Sequence, residues 1–245
     1  MTASSGIKFF STPPHACSYL AEQRAITLFA DPQAPMNSTL YGQLSLYGFR
    51  RSGNYIYRPQ CQDCQACIPV RIPVAEFVPS RQQKRTRSFN DDIEVSSVNA
   101  NFVQEHYDLY ARYIHLRHAD GDMFPPSIAQ YVSFLFSDWC NTRLVEFRHQ
   151  GRLLAVAVCD ILRNGLSAVY TFYDPEEEKR SLGTLAVLWQ IQEAARLGLP
   201  YVYLGYWVKE SPKMAYKTRF YPLEAFIAQR WQPLSEAEYR TARHG

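Results

Sequence analysis

The sequence predicts an α+β fold in which a mixed β-sheet is flanked by helices. The first observation is a succession of three strand-like segments, at residues 143–148, 153–162 and 167–173. Asn164-Gly165 separates the last two, and Asn-Gly is the strongest two-residue hairpin signal because both positions tolerate positive φ. The second observation is a long helical segment followed by a short aromatic strand, at residues 181–197 and 201–206. An antiparallel meander, a crossover helix and a further strand together indicate a mixed sheet.

Two more helices are expected before the meander. Between about residues 102 and 117, apolar and aromatic residues recur at helical spacing, namely Phe102, Val103, His106, Tyr110, Tyr113 and Ile114. Pro125-Pro126-Ser127 opens the next helix, and its apolar side consists of Ile128, Tyr131, Val132, Leu135 and Phe136. These helices are the expected cover of the sheet.

The first hundred residues are less regular and rich in proline and cysteine. Short strands are expected there, at residues 54–57, 70–73 and 91–97. The change in character near residue 100 predicts two parts. Residues 1–100 are expected to form a smaller cysteine-containing part with a basic segment, and residues 101–245 are expected to form the larger and more regular part.

Composition excludes several classes of protein. The chain has 245 residues, of which 47% are hydrophobic, and its formal net charge is +3, so it has neither the low hydrophobicity nor the high charge of a disordered chain. No apolar run approaches the roughly 18 residues of a membrane span, and no secretory leader is visible. A cytoplasmic protein with reduced cysteines and no membrane partner is therefore expected.

Positive charge is concentrated in one stretch. Residues 50–87 contain eight basic side chains and only two acidic ones. The densest segment supplies four cations without an intervening acid, namely Arg81, Lys84, Arg85 and Arg87. Such a segment is suited to phosphate contacts on an anionic polymer such as RNA. The alternative is a solvated basic linker between the two parts.

Three cysteines at two-residue intervals form a second motif. Cys61, Cys64 and Cys67 could converge on a metal ion or part of a cluster, and Cys17 is the other cysteine of the first hundred residues. The alternative is a tight loop with reduced thiols.

The junction between the strand at 167–173 and the long helix is a third place where chemistry is expected. This order of elements resembles the acyltransferase fold typified by the GCN5-related N-acetyltransferases, in which a loop of the form R/Q-x-x-G-x-G/A presents N–H groups to a pyrophosphate. Arg180 and Gly183 fit that form, but Leu185 replaces its small last residue, which counts against coenzyme A. Asp174, at the end of the strand, is a candidate to orient or deprotonate an amine, or is simply a turn residue before Pro175.

A fourth motif follows the last predicted strand. Residues 205–221 interleave aromatic side chains with four cations, Lys209, Lys213, Lys217 and Arg219. This pattern suits RNA or a substrate that carries a carboxylate. A solvated surface face is the other interpretation.

Several of these segments together resemble the bacterial aspartate/glutamate leucyltransferases, which are relatives of the eukaryotic arginyltransferases. The matching strings are YGFRRS (47–52), YRP (57–59), PVAEF (73–77), YVYLGYWV (201–208), KMAYK (213–217) and the cysteine triplet. The resemblance runs from about residue 17 to residue 223. In the eukaryotic relatives the N-terminal cysteines bind a metal or cluster, but there they form two pairs and not an evenly spaced triplet.

The resemblance implies an aminoacyltransferase that moves leucine from leucyl-tRNA to proteins beginning with Asp or Glu, which marks them for degradation by the N-end rule. The rival functions are a coenzyme-A-dependent N-acetyltransferase and a non-catalytic, metal-stapled RNA-binding or degron-binding module. Leucyl-tRNA and acidic N-termini are the expected partners. No cofactor is required for transfer, and zinc or an iron–sulfur cluster at the cysteines would be structural or regulatory.

The expected site residues fall into four groups. The catalytic candidates are Asp174, Tyr206, Lys213, Tyr216 and Lys217. The substrate-binding candidates are Arg58, Lys209, Arg219, Tyr173 and Trp207. The tRNA-binding candidates are Arg81, Lys84, Arg85 and Arg87. The metal-binding candidates are Cys17, Cys61, Cys64 and Cys67.

Overall fold

A computed structural model describes residues 6–235 of the chain, so the ends of both predicted parts, residues 1–5 and 236–245, lie outside the described residues. The strands, in chain order, are β1 (Phe9–Ser11), β2 (His15–Ala16), β3 (Arg24–Ala25), β4 (Thr27–Ala30), β5 (Arg50–Ser52), β6 (Tyr55–Pro59), β7 (Ile68–Pro73), β8 (Glu94–Asn99), β9 (Thr142–His149), β10 (Arg152–Leu162), β11 (Gly165–Tyr173), β12 (Tyr201–Trp207), β13 (Glu224–Ile227) and β14 (Arg230–Pro233). The α-helices are α1 (Ser38–Ser45), α2 (Arg81–Phe89), α3 (Gln104–Arg117), α4 (Ile128–Leu135) and α5 (Leu182–Arg196).

An eight-stranded sheet forms the centre of the described structure, in the order β14-β13-β7-β12-β11-β10-β9-β8. Strands β11 and β12 are parallel, because the crossover helix α5 joins them, and the other neighbouring strands of this sheet are antiparallel. The predicted mixed sheet flanked by helices is therefore confirmed.

Helices cover both faces of this sheet, and strand β10 shows why. Its side chains alternate between two separate apolar clusters: Ala155 and Ala157 join the cluster around α5, whereas Val156 and Val158 join the cluster around α3 and α4. A strand with both faces covered carries a nearly continuous apolar sequence, as β10 does. The predicted positions of α3, α4 and α5 are confirmed to within a few residues.

A smaller four-stranded sheet, in the order β1-β4-β6-β5, packs with α1 beside the main sheet. The amide of Asn164, in the hairpin between β10 and β11, donates to the carbonyl of Gly42 in α1 and so joins the two regions. Strand β7 belongs to the first hundred residues of the sequence, but it pairs with β12 and β13 inside the main sheet.

Three features of the first hundred residues differ from the sequence-based expectations. The basic segment forms the helix α2, because Ser80 and Gln83 make a reciprocal capping box at its N-terminus; the alternative of a linker between the two parts is therefore wrong. The strand expected at 91–97 instead runs over Glu94–Asn99, following the α2 cap at Asn90. Helix α1 and strands β1 to β5 were not predicted.

In residues 6–235, no helix is both long and apolar enough for a membrane span.

Candidate functional site

The parallel strands β11 and β12 diverge shortly after they meet. Their paired positions are Leu166 with Val202 and Ser167 with Tyr203, although both strands continue beyond these residues. The register of β12 against β7 also shifts between Tyr203 and Gly205. The carboxyl-terminal halves of β11 and β12 therefore leave an opening in the sheet, at the edge where open α/β sheets bind their ligands.

Arg50, the first residue of β5, inserts its side chain into this opening. Its Nη2 donates to the carbonyls of Ala168 and Val169 at 2.5 and 3.3 Å. On the other side of the opening is Gly205, where an added Cβ would lie 1.3 Å from Arg50 Nη1. Only glycine therefore leaves room for the guanidinium, and the φ of +79° at Gly205 also favours glycine.

Lys217 lies in the same region and is almost completely buried, at 4% relative exposure. Its Nζ donates to the carbonyl of Tyr206 at the end of β12. Burial lowers the pKa of Lys217 well below its usual value, and the nearby charge of Arg50 lowers it further. The Tyr216 ring lies 5.9 Å from Nζ and is partly exposed. The shift favours the neutral amine of Lys217, compared with an exposed lysine, in a buried position beside the opening.

Tyrosines surround the two basic groups. The Tyr206 hydroxyl lies 3.0 Å from the carbonyl of Gly48 and 3.2 Å from that of Tyr57, and its burial raises its pKa. The rings of Tyr57 and Tyr206 are 6.1 Å apart. Tyr173, at the end of β11, packs on Tyr113 at 4.8 Å. The structure thus brings four sequence-predicted site residues to the region around the opening: Tyr173, Tyr206, Tyr216 and Lys217.

Asp174 has a different environment from these residues. Its carboxylate is buried and forms ion pairs with Arg112 and Arg152. Burial alone would raise the pKa of Asp174, but the hydrogen bond from the Glu176 N–H and the two arginines outweigh it and hold the pKa below its usual value. A carboxylate held in this way is a weak proton acceptor.

Most of the remaining substrate-binding and catalytic candidates are dispersed. Lys213 is exposed and pairs with Asp120 at 2.8 Å, and Lys209 and Arg219 are also exposed. Arg58 donates to the carbonyl of Tyr47. Trp207 is buried at the end of β12, where its Nε1 has no hydrogen-bond partner within residues 6–235.

Helix α2 presents its four cations to solvent. Arg81, Lys84, Arg85 and Arg87 are exposed, and within the described residues no carboxylate pairs with them. The buried Gln83 of the same helix donates to the carbonyl of Arg219, which places α2 against the segment that contains Lys217. A basic surface thus lies next to the region around the opening.

The four N-terminal cysteines line one cleft of about 670 Å³ together with Tyr19, Tyr57 and Tyr206. Burial and the neighbouring Cys17, Cys61 and Cys64 raise the pKa of the Cys67 thiol to about 12. As placed, no three His, Cys, Asp or Glu side chains in the described part of the chain could hold a metal ion. The four thiols thus share one cleft, and metal binding by them stays a prediction.

Sequence comparison relates the chain to known transferases over almost its whole length. Residues 15–85 match the family model described as arginine-tRNA-protein transferase, N terminus, and residues 105–227 match the model for its C terminus. The aspartate/glutamate leucyltransferase of Pseudomonas fluorescens (strain Pf0-1) is 58% identical over 96% of this chain and 100% of its own length. The protein of the same name from Pseudomonas syringae pv. tomato is 59% identical, again over 96% of this chain and 100% of its own length.

Among solved structures, L-PGS from Bacillus licheniformis has a similar fold, with a TM-score of 0.50 at 12% identity. The match covers 74% of this chain and 65% of that chain, a little under two thirds. At this identity the likeness concerns the fold alone. The sequence matches are decisive: the chain belongs to the aspartate/glutamate leucyltransferases of the arginine-tRNA-protein transferase family.

Proposed function

We propose that this protein transfers leucine from leucyl-tRNA to the α-amine of proteins that begin with Asp or Glu, and so marks them for degradation. The observation that carries this proposal is the match at 58% identity, over the full length of the relative, to an aspartate/glutamate leucyltransferase. The proposed setting is the cytoplasm, where charged tRNA and reduced thiols coexist.

The reaction needs little activation, because the leucyl ester on tRNA is already reactive. The acceptor nitrogen attacks the ester carbonyl and forms a C–N bond. The bond between the carbonyl carbon and the ribose oxygen then breaks, and the proton lost by the amine is taken up by that oxygen, which becomes the free ribose hydroxyl. An ordinary α-amine has a pKa of about 7.7–8.0, so a neutral fraction exists near neutral pH. Orientation can contribute roughly 7–11 kcal/mol, which makes positioning the main task of the protein.

We assign the reacting groups to the opening between β11 and β12. Lys217, whose pKa burial lowers, accepts the proton of the attacking amine, and the Tyr206 carbonyl holds its Nζ in place. Tyr173, Tyr206, Tyr216 and Trp207 line the substrate site in this proposal. A substrate site between two diverging parallel strands corresponds to the GCN5-related type of acyltransferase fold. In this protein Arg50 lies between those strands, β11 and β12.

The exposed face of α2 is the proposed grip on tRNA. Four unpaired cations on one helix suit phosphate contacts, and the helix packs against the segment that contains Lys217. Lys209, Lys213 and Arg219 are exposed on or near that segment and extend the same basic surface. In the proposed division at residue 100, helix α2 of residues 1–100 supplies the main grip on tRNA, and residues 101–245 supply most of the reacting groups.

Two other candidates are given supporting roles. Asp174 fixes Arg112 and Arg152 at the end of β11 and does not accept a proton. Arg58 lines the cysteine cleft, where its guanidinium stacks 5.0 Å from the centre of the Phe49 ring.

We propose that transfer needs no cofactor, and that zinc or an iron–sulfur cluster bound by the cysteines would act on structure or regulation. No step of the reaction passes through such a group. Elemental analysis of the purified protein tests this role, together with the melting temperatures of Cys64→Ser and Cys67→Ser, which fall if the thiols hold a metal.

A transfer assay with two donors tests the function as a whole. The protein is incubated with radiolabelled leucyl-tRNA or acetyl-coenzyme A and with reporters that begin with Asp, Glu or Ala. Label from leucyl-tRNA on the Asp and Glu reporters is expected. Label from acetyl-coenzyme A would identify an N-acetyltransferase, and binding of tRNA and reporter without transfer would identify a non-catalytic module.

A further inference from the structure

Arg50 carries a positive charge that nothing in the described structure neutralises. The side chain is half-buried, and within residues 6–235 no carboxylate oxygen lies within 4.0 Å of its nitrogens. Arginine stays protonated in proteins, so it cannot escape the cost of burial by losing its proton. The neighbouring Arg51, by contrast, has a complete counterion in Asp160.

The hydrogen bonds of Arg50 leave donors free. A guanidinium has five N–H groups, and only those on Nη2 find acceptors within the described residues, the carbonyls of Ala168 and Val169. These two bonds fix the plane of the guanidinium while Nη1 and Nε remain available. A guanidinium that is held in a fixed orientation and still has free donors is suited to a charge-assisted hydrogen bond with a carboxylate.

The surroundings of Arg50 favour a small anion. The opening is bounded by strand backbone on both sides, and Gly205 contributes no side chain to it. Tyr57, Tyr206 and Tyr216 lie close enough to Arg50 for its charge to act on the pKa of each hydroxyl, and the Tyr216 ring is partly exposed. The phosphates of tRNA already have an exposed basic surface on α2, so a carboxylate is the better match for this enclosed cation.

Lys217 adds a second reason. It lies close enough to Arg50 for that charge to lower its pKa, and it is the group that accepts the amine proton in the proposed reaction. In an N-terminal Asp, the side-chain carboxylate and the α-amine are separated by only two carbon atoms. A residue whose carboxylate binds at Arg50 therefore presents its amine to the neighbourhood of Lys217.

We propose that Arg50, fixed between the diverging strands β11 and β12, binds the side-chain carboxylate of the acceptor's N-terminal Asp or Glu and so determines the acidic specificity. This inference rests on the proposed function. It assigns the recognition of the acidic side chain to a residue other than the cations that the sequence pattern indicates for this role, Arg58, Lys213, Lys217 and Arg219.

The first test is binding in the absence of transfer. The dipeptides Asp-Ala and Asn-Ala differ only in one charge, and each is titrated into wild-type protein labelled with ¹⁵N at arginine. We expect Asp-Ala, and not Asn-Ala, to shift the Nε–Hε resonance that disappears in Arg50→Lys. Equal shifts with both dipeptides, or no shift with Asp-Ala, would overturn the proposal. This measurement needs only the folded wild-type as the reporter.

The second test is the choice of acceptor. Arg50→Gln keeps an N–H donor for the Ala168 carbonyl but removes the charge. The ratio of kcat/KM for Asp-starting over Asn-starting peptide should fall about tenfold or more, with leucyl-tRNA affinity unchanged, and Arg50→Lys should retain part of the preference. Arg163→Gln, an exposed arginine in the hairpin before β11, removes the same charge elsewhere and is the matched control.

The outcomes separate the two proposals. An equal loss with both acceptors, together with weaker leucyl-tRNA binding, would assign Arg50 to phosphate or to the fold and refute the carboxylate role. If the wild-type transfers no leucine to any acceptor, the proposed function fails, whereas discrimination between the two dipeptides at Arg50 still decides the present inference.

Discussion

Arg51 of β5 and Asp160 of β10 form a bidentate ion pair, with both N–O distances at 2.7 Å and neither side chain exposed to solvent. Thr142 donates a further hydrogen bond to the same carboxylate, and the carbonyls of Gly53 and Leu135 accept from the guanidinium. The pair joins the N-terminal sheet to the main sheet. It also fixes the strand on which the neighbouring Arg50 is carried into the opening.

Breaking this pair from one side should be costly. Arg51→Leu leaves the Asp160 carboxylate buried without a counterion, which we expect to lower the free energy of unfolding by about 3–5 kcal/mol. Urea denaturation followed by tryptophan fluorescence measures the loss. The double variant Arg51→Leu/Asp160→Leu should recover most of it, since no charge is then left unpaired. A single variant as stable as the wild-type would show that the pair does not hold the two sheets together.

Asp174 should contribute stability that depends on pH. Its partners Arg112 and Arg152 are 44% and 55% exposed and can be solvated, so we expect Asp174→Asn to cost only about 1–2 kcal/mol at neutral pH. Because the pKa of Asp174 is lowered in the folded state, this contribution is complete above the unfolded pKa of about 4 and is lost as the pH falls through the folded value. Urea midpoints of Asp174→Asn and wild-type are compared at pH 7 and at pH 3. The difference between the two proteins should be smaller at pH 3; a larger difference at pH 3 would contradict a stabilising role of the ionised Asp174.

The exposed face of α2 should act on tRNA and not on the acceptor. Replacing Arg81, Lys84, Arg85 and Arg87 with Ala removes four unpaired cations, and leucyl-tRNA affinity should fall with a shallower dependence on salt. Filter binding over a range of salt concentrations measures both effects. The double variant Arg163→Ala/Arg196→Ala removes exposed cations elsewhere and should bind as the wild-type does. Unchanged binding of the quadruple variant at every salt concentration would reduce the α2 face to a solvated surface.

Lys217 should affect the rate of transfer more than binding. Lys217→Met removes the proton acceptor, and general-base catalysis contributes typically 10²-fold or more, so we expect a fall of about that size in kcat with leucyl-tRNA affinity preserved. Lys217→Arg should not restore the rate, because a guanidinium does not lose its proton. Single-turnover kinetics make the comparison. A Lys217→Arg variant with full activity would show that a positive charge, and not a free amine, is what the site requires.

The sequence predicted the local elements well and the long-range arrangement poorly. The hairpin at Asn164 and Gly165 was readable because its turn chemistry is specific to that geometry. The hairpin between β13 and β14 was missed, since Ala228 and Gln229 adopt positive φ there without the Asn or Gly that usually signals it. The pairing of β7 with β12 joins residues more than a hundred positions apart, which no local periodicity reveals.

The same limit applies to the site. Lys217 and Tyr206 could be chosen because they lie in one dense motif, and the structure brings them together. Arg50 stood within the predicted basic stretch, but its importance depends on the Ala168 carbonyl, 118 positions later in the chain. Helix α2 could have been predicted from the sequence, because Ser80 followed by Gln83 is a capping-box pattern that indicates the start of a helix.

The most direct test of the account is the identity of the residue added to an acidic N-terminus. Reporters that begin with Asp, Glu, Asn or Ala are incubated with the protein and an equal mixture of leucyl-tRNA and arginyl-tRNA, and their N-termini are read by tandem mass spectrometry. We predict one added leucine on the Asp and Glu reporters and unmodified Asn and Ala reporters. Addition of arginine in preference to leucine, or equal addition to all four reporters, would contradict the account.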